Sequence, residues 1–235
     1  MPIENIRKNL QQLKNPEKAR ILQRFFKTGP GEYGEGDVFW GITVPELRKL
    51  AKVHQDIPEE TLTRLLRSPV HEKRMLALLI LIRKFENSGK PEQKSIYALY
   101  LENIRFVNNW DLVDGSSGRI VGAYLMEKNK APLYRMATSK NLWERRISII
   151  STFYFIKHDR FSESLKISKM LLADREDLIH KAVGWMLREI GKRDLPVLES
   201  FLKAHYHNMP RTMLRYAIEK FPEPQRQKYL KGTIQ

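Results

Sequence analysis

Five segments of this chain open on a polar or charged residue and run straight into apolar ones. They are Arg74-Met75-Leu76-Ala77, Asp111-Leu112-Val113, Arg146-Ile147-Ser148-Ile149, Lys181-Ala182-Val183-Gly184 and Arg211-Thr212-Met213-Leu214, at intervals of 37, 35, 35 and 30 residues. A period of 30–40 residues holds two helices and a link, which is the spacing of stacked helix pairs. Strand signals are nearly absent, and apolar residues recur at helical spacing through most of the chain. Met75 to Ile82 is apolar all round and predicts a helix with neighbours on every side. Cap signals support the reading. Asn15-Pro16-Glu17 sets a cap residue before a first-turn proline, and Thr43-Val44-Pro45-Glu46 and Asn141-Leu142-Trp143-Glu144 have capping-box spacing. The expected fold is all-α: a single domain over 1–235, an α-solenoid superhelix of about six HEAT-like helix pairs.

One stretch resists this pattern. Thr28 to Gly41 holds five of the twelve glycines and predicts a protruding loop or a short β-hairpin at 29–41. Gly29-x-Gly31-x-x-Gly34 has dinucleotide-fingerprint spacing, but no helix is expected to open at Gly34, and Glu32, Glu35 and Asp37 would repel a pyrophosphate. Tyr33, Phe39 and Trp40 in this stretch would either contact bases or sugars or pack the insertion onto the body. Asp114-Gly115-Ser116-Ser117-Gly118 is weak in helix propensity, yet its flanks keep helical phase, and a continuous helix is expected.

Charge narrows the partner. Lys and Arg number 42 against 27 Asp and Glu, a net charge of +15, which favours a polyanion. The absence of cysteine excludes disulfide scaffolds, thiolate metal sites and cysteine nucleophiles. No two of the six histidines have the spacing of a metal pair, and no cofactor is expected. Without a signal peptide or a long apolar run, the expectation is a cytoplasmic monomer, nucleoid-associated if bacterial, with no membrane partner.

Trp110 and Asp114 lie four residues apart, on one helix face. An aromatic plane beside a carboxylate suits a cationic ligand; a core tryptophan beside a bonded Asp is the plainer reading. Trp185 falls one repeat after Arg146, again as a ligand wall or a core residue. Of Arg145 and Arg146, adjacent at a helix start, one can face a phosphate. Arg74, Arg146, Lys181 and Arg211 share a repeat phase and would stripe a groove if that phase is concave.

Asn109-Trp110-Asp111-Leu112-Val113-Asp114, then Asn141 to Arg146, then Lys181 to Glu189, resemble in order and spacing the DNA alkylation repair family of HEAT-like repeat glycosylases. The resemblance implies double-stranded DNA as partner, a concave basic groove, and hydrolytic excision of cationic N3- or N7-alkylated purines. It implies Asp114 as catalytic carboxylate, Trp110 and Trp185 as aromatic walls, and Arg146 as a phosphate contact. Arg145, Arg188, Lys181, Arg74, Arg211 and Tyr33 join it as expected DNA contacts. Asn109 stands where catalytic members often carry Trp, and the 29–41 insertion resembles a subgroup that binds branched DNA without catalysis. A non-catalytic junction binder and a protein-interaction scaffold are therefore the rival expectations.

Overall fold

The computed structural model describes residues 2–234, and the chain packs as two compact units that meet at Ser116 and Ser117 in sequence. Both units are built of helices. The first holds α1 (Pro2–Gln12), α2 (Pro16–Phe25), α3 (Val44–Val53), α4 (Glu59–Leu66), α5 (His71–Asn87), α6 (Lys90–Glu102) and the start of α7 (Trp110–Ser117). Two of the three caps read from the sequence form as expected, and at the third Asn141 accepts the Trp143 N–H at 2.8 Å. Asn15 accepts the Lys18 N–H at 3.0 Å, and the Thr43 N–H and hydroxyl both donate to the Glu46 carboxylate, at 2.8 and 2.6 Å. α5 is the centre of this unit, packed on α3, α4 and α6. Every residue from Met75 to Ile82 is buried, which explains a helix with no polar face.

The second unit follows the repeat more openly. Helical backbone continues through a π-helical turn (Gly118–Gly122) into α8 (Ala123–Leu125), so glycine and serine do not break it. Then come α9 (Ala131–Ala137), α10 (Leu142–Ile156), α11 (Ser162–Met170), α12 (Asp177–Gly191), α13 (Leu195–His205), α14 (Arg211–Ala217) and α15 (Glu223–Lys231). α10, α12 and α14 form one row of neighbours, with α9, α11 and α13 packed beside them. The three row helices begin about 35 residues apart, so each repeat is one helix pair buried against the next. Close approach is made where side chains vanish: a Cβ on Gly184 would lie 2.5 Å from the Met213 carbonyl oxygen, and one on Gly122 would overlap that of Ser151.

The glycine-rich segment is a loop, not a hairpin. Consecutive turns close it through Glu32 N–H to Gly29 O, Glu35 N–H to Glu32 O and Asp37 N–H to Gly34 O, at 3.1 Å each. Its β-type pairing among the described residues is a single parallel bridge, Val38 with Val70. The acids that looked hostile to a phosphate are consumed internally. Glu32 accepts the Gly29 N–H and Glu35 the Gly31 N–H, both at 2.9 Å, while Asp37 turns into the core. No helix in the described residues is long and apolar enough to cross a membrane.

Candidate functional site

The first turn of α7 is fastened from below. Asp111 accepts its neighbour Leu112's N–H through one carboxylate oxygen, and the other oxygen meets His71 Nε2 at 2.8 Å. The opposite ring nitrogen of His71 faces Asp37 at 3.1 Å, and Asp37 also takes the Arg74 guanidinium at 2.5 Å. Asn109, fully buried, donates to Asp37 at 3.3 Å. Burial opposes charge on His71, but hydrogen bonds to Asp111 and Asp37 outweigh it and raise the imidazole pKa above its ordinary value. Burial likewise pushes Asp37 up, and the His71 bond with the Arg74 charge more than reverses this, leaving the carboxyl below its usual range. The result is a largely buried cluster of Asp37, Asp111, Arg74 and a histidine whose protonation the two carboxylates favour.

Aromatic rings continue the support upward. His71 stacks on Phe39 (centroids 4.4 Å), Phe39 on Phe26 (5.0 Å), and Phe26 on Trp110 (5.1 Å, planes 20° apart). Phe25 meets Trp110 edge-on at 5.9 Å while remaining 60% exposed. Trp110 is half-buried, its orientation fixed by these neighbours. One turn on, Asp114 is also half-buried. Its negative charge reaches Tyr100, where burial raises the phenol pKa, the Ser116 hydrogen bond offsets part of that, and Asp114 adds to the rise. The i, i+4 relation of Trp110 and Asp114 holds, as the spacing implied.

Arg74 is a correction. Expected to be a groove-lining cation, it is 3% exposed and bound to Asp37 and to the Ser68 carbonyl (2.9 Å). Its place in the repeat looked like a surface phase because a polar or charged residue precedes each recurring apolar run, and a buried partner from a distant loop leaves no local trace. Tyr33 is half-buried, its hydroxyl donating to the Phe25 carbonyl at 3.4 Å, so it ties the loop to α2. Phe39 packs in the core, the second of its two expected roles.

The remaining expected residues belong to the second unit. Arg146 is also buried, at 5% exposure, and donates to the Leu178 carbonyl. The open phosphate contact expected of it is not what this side chain presents. Arg145 is half-buried against Asp174 (2.6 Å) and the carbonyls of Ser139 and Lys140 (3.0 Å each). Arg188 pairs with Glu219. Lys181 pairs with Asp177 at 2.7 Å near the surface, and exposed Arg211 donates to the Leu230 carbonyl at 2.6 Å. Trp185 is half-buried, donating to Glu189 at 3.1 Å, with Phe153 at 5.6 Å.

Phe25, Phe26, His71, Asp37 and Asp111 do not stand out in the sequence as supports of Trp110. The one local signal is the Phe25-Phe26 pair beside the glycine-rich loop. No group of three or more potential metal ligands is found among the described residues.

Comparison with known proteins agrees with this architecture. The sequence model of the DNA alkylation repair enzyme family matches residues 6–221. Among solved structures, a predicted DNA alkylation repair enzyme from Enterococcus faecalis is 20% identical and superposes with a TM-score of 0.67, covering 89% of this chain and 97% of its own. AlkD2 from Streptococcus mutans is 17% identical with a TM-score of 0.54, covering 88% and 98%, and smu.31 from Streptococcus mutans UA159 is 18% identical with 0.52, also covering 88% and 98%. No curated protein matches the chain in sequence. At these identities the structures carry the fold, a helical repeat, while the family match spans nearly the whole chain and identifies it: the protein belongs to the DNA alkylation repair enzyme family and is a DNA repair protein acting on DNA.

Proposed function

We propose that this protein hydrolyses the N-glycosidic bond of purines made cationic by alkylation at N3 or N7, with Asp114 and Trp110 as the reacting surface. The observation that carries the reading is their placement one turn apart on α7, each partly accessible, on a helix start fastened by His71 and an aromatic stack. A cationic purine leaves C1′ as a neutral base, so the glycosidic bond breaks without a general acid. Positive charge then grows on the deoxyribose. A carboxylate beside the sugar stabilises that charge, and an indole face adds cation–π attraction. Water adds to C1′ and gives up its proton, leaving an abasic sugar and the free alkylpurine.

The test is release of 7-methylguanine from methylated duplex DNA. Wild type releases it; Asp114→Asn retains DNA binding and loses release. Equal release by both overturns the assignment.

One observation favours a second reading, a non-catalytic binder of branched DNA. Asn109 is locked into the buried cluster at Asp37, so no aromatic surface can be offered at that position. A preference for a four-way junction over duplex, erased by shortening the loop across 29–35 while keeping Asp37, together with no base release, would establish it.

A further inference from the structure

Elsewhere on the first unit, two ammonium groups gather on one indole, and a guanidinium shares their cleft. Trp40 carries two ammonium groups against its ring, Lys14 Nζ at 3.7 Å and Lys73 Nζ at 4.7 Å from the centroid. Arg7 from α1 lies near enough to add to the repulsion. Burial lowers the Lys73 pKa first, and the charges of Arg7 and Lys14 lower it further. None of these three forms an ion pair among the described residues. Together with Arg64 and Arg67, Arg7, Lys73 and Trp40 line a cleft of about 630 Å³ at the end of α4 and the start of α5. Arg64 is held by Glu60 at 2.6 Å, and Glu4 is the cleft's own carboxylate, so positive charge is in excess.

The platform is built, not incidental. The Trp40 N–H donates to both oxygens of the buried Glu72 carboxylate, at 2.9 and 3.0 Å, and the next two N–H groups, of Gly41 and Ile42, bond one of them at 2.7 and 3.3 Å. The Trp40 carbonyl accepts the Asn15 N–H at 2.9 Å. Gly41 turns with a φ of +79°, and a Cβ there would overlap the Asn15 carbonyl oxygen. A rigid backbone therefore fixes an indole whose face gathers two lysines. The indole face offsets part of the repulsion between these like charges, and an arriving anion relieves the rest.

We infer that Lys14 and Lys73, gathered on Trp40, and Arg7, which lines the same cleft, form a phosphate-binding site for the nucleic-acid backbone, separate from the Trp110 and Asp114 surface. The site rests on the DNA reading of this family member and extends its footprint. Ammonium groups are strongly hydrated point charges suited to single phosphates, and they read charge, not sequence.

The experiment measures duplex binding by fluorescence anisotropy across a salt series for wild type, Lys14→Gln/Lys73→Gln, and a control, Lys90→Gln/Lys94→Gln, that removes the same charge from α6. Removal of one phosphate interaction takes about 0.9 from the slope of log K against log salt. The expected result is a slope shallower by about 1–2 in the Trp40 variant and unchanged in the control, with circular dichroism and melting temperature preserved. Trp40→Ala, at unchanged fold, shows part of the same effect. Equal slopes in the Trp40 variant and wild type overturn the site, as do equal changes in variant and control, which would report net charge alone. Inorganic phosphate that competes with duplex at constant ionic strength only when Lys14 and Lys73 are present would reassign the cleft to a free anion. An acidic peptide competing in that same manner would reassign it to a protein partner. Absence of any salt-dependent duplex binding by wild type would instead contradict the DNA reading itself.

Discussion

Asp37 and Arg74, one from the glycine-rich loop and one from the central helix α5, meet at 2.5 Å with 3% of each side chain exposed. The pair is one of several ties that fasten this loop, beside the Val38–Val70 bridge and the Tyr33 hydroxyl on the Phe25 carbonyl. Removing one partner leaves the other charged and buried, which costs about 3–5 kcal/mol. Asp37→Ala and Arg74→Ala are therefore expected to destabilise the protein by that amount, measured by urea unfolding. The Asp37→Asn and Arg74→Met double variant is expected to recover part of the deficit.

The same cluster gives stability a pH dependence of definite sign. The His71 pKa is raised in the folded protein, so its contribution is complete below the ordinary value of 6.5 and is lost as pH rises through the higher folded value. Asp37, Asp111 and Arg74 are the charged groups facing the ring. The Asp37 pKa is lowered, so its contribution is present above the ordinary 3.8 and is lost as pH falls through the folded value. Melting temperature is expected to decline as pH rises from about 6.5 through the His71 titration, and His71→Gln to flatten that decline while lowering stability overall.

Glycine substitutions separate close packing from open space. Gly41→Ala drives a Cβ into a carbonyl oxygen at a positive φ, a backbone strain alone costing about 1–3 kcal/mol. Gly184→Ala drives a Cβ into the α14 backbone and is expected to destabilise the second unit. Gly115, on α7, has no atom of another segment within 4 Å of where a Cβ would stand, and Gly115→Ala is expected to stabilise by about 0.5–1 kcal/mol. Thermal denaturation of the three variants tests the ordering.

Phe25 is 60% exposed while its ring meets Trp110 edge-on. If Phe25 steadies the working indole, Phe25→Ala lowers alkylpurine release about tenfold and Phe25→Tyr leaves it nearly intact, with duplex affinity shifting less than turnover. An unchanged release rate in Phe25→Ala would deny it that role.

Local signals were legible in the sequence; distant partnerships were not. Asn15, Pro16 and Thr43 announce helix starts because a cap and its partner lie within four residues of each other. The 35-residue recurrence of α10, α12 and α14 is visible because each must bury the same face on its neighbours. Trp110 and Asp114 could be paired by helical spacing alone. Arg74 could not be told from a surface arginine, since its carboxylate stands 37 residues away in a loop. The three acids of that loop were legible as charges, but their destinations depended on turns and on α5. Likewise nothing local to Trp40 foretold that Lys14 and Lys73 would converge on it.

Single-turnover cleavage isolates the role of the Asp114 carboxylate. A duplex carrying one 7-methylguanine is incubated with excess protein, and abasic sites are scored over time. Wild type is expected to form them at a rate well above spontaneous depurination, and Asp114→Asn to be slower by about 10²-fold or more at unchanged duplex affinity. Identical rates in the two proteins, or a wild-type rate no faster than spontaneous depurination, would contradict catalysis by Asp114.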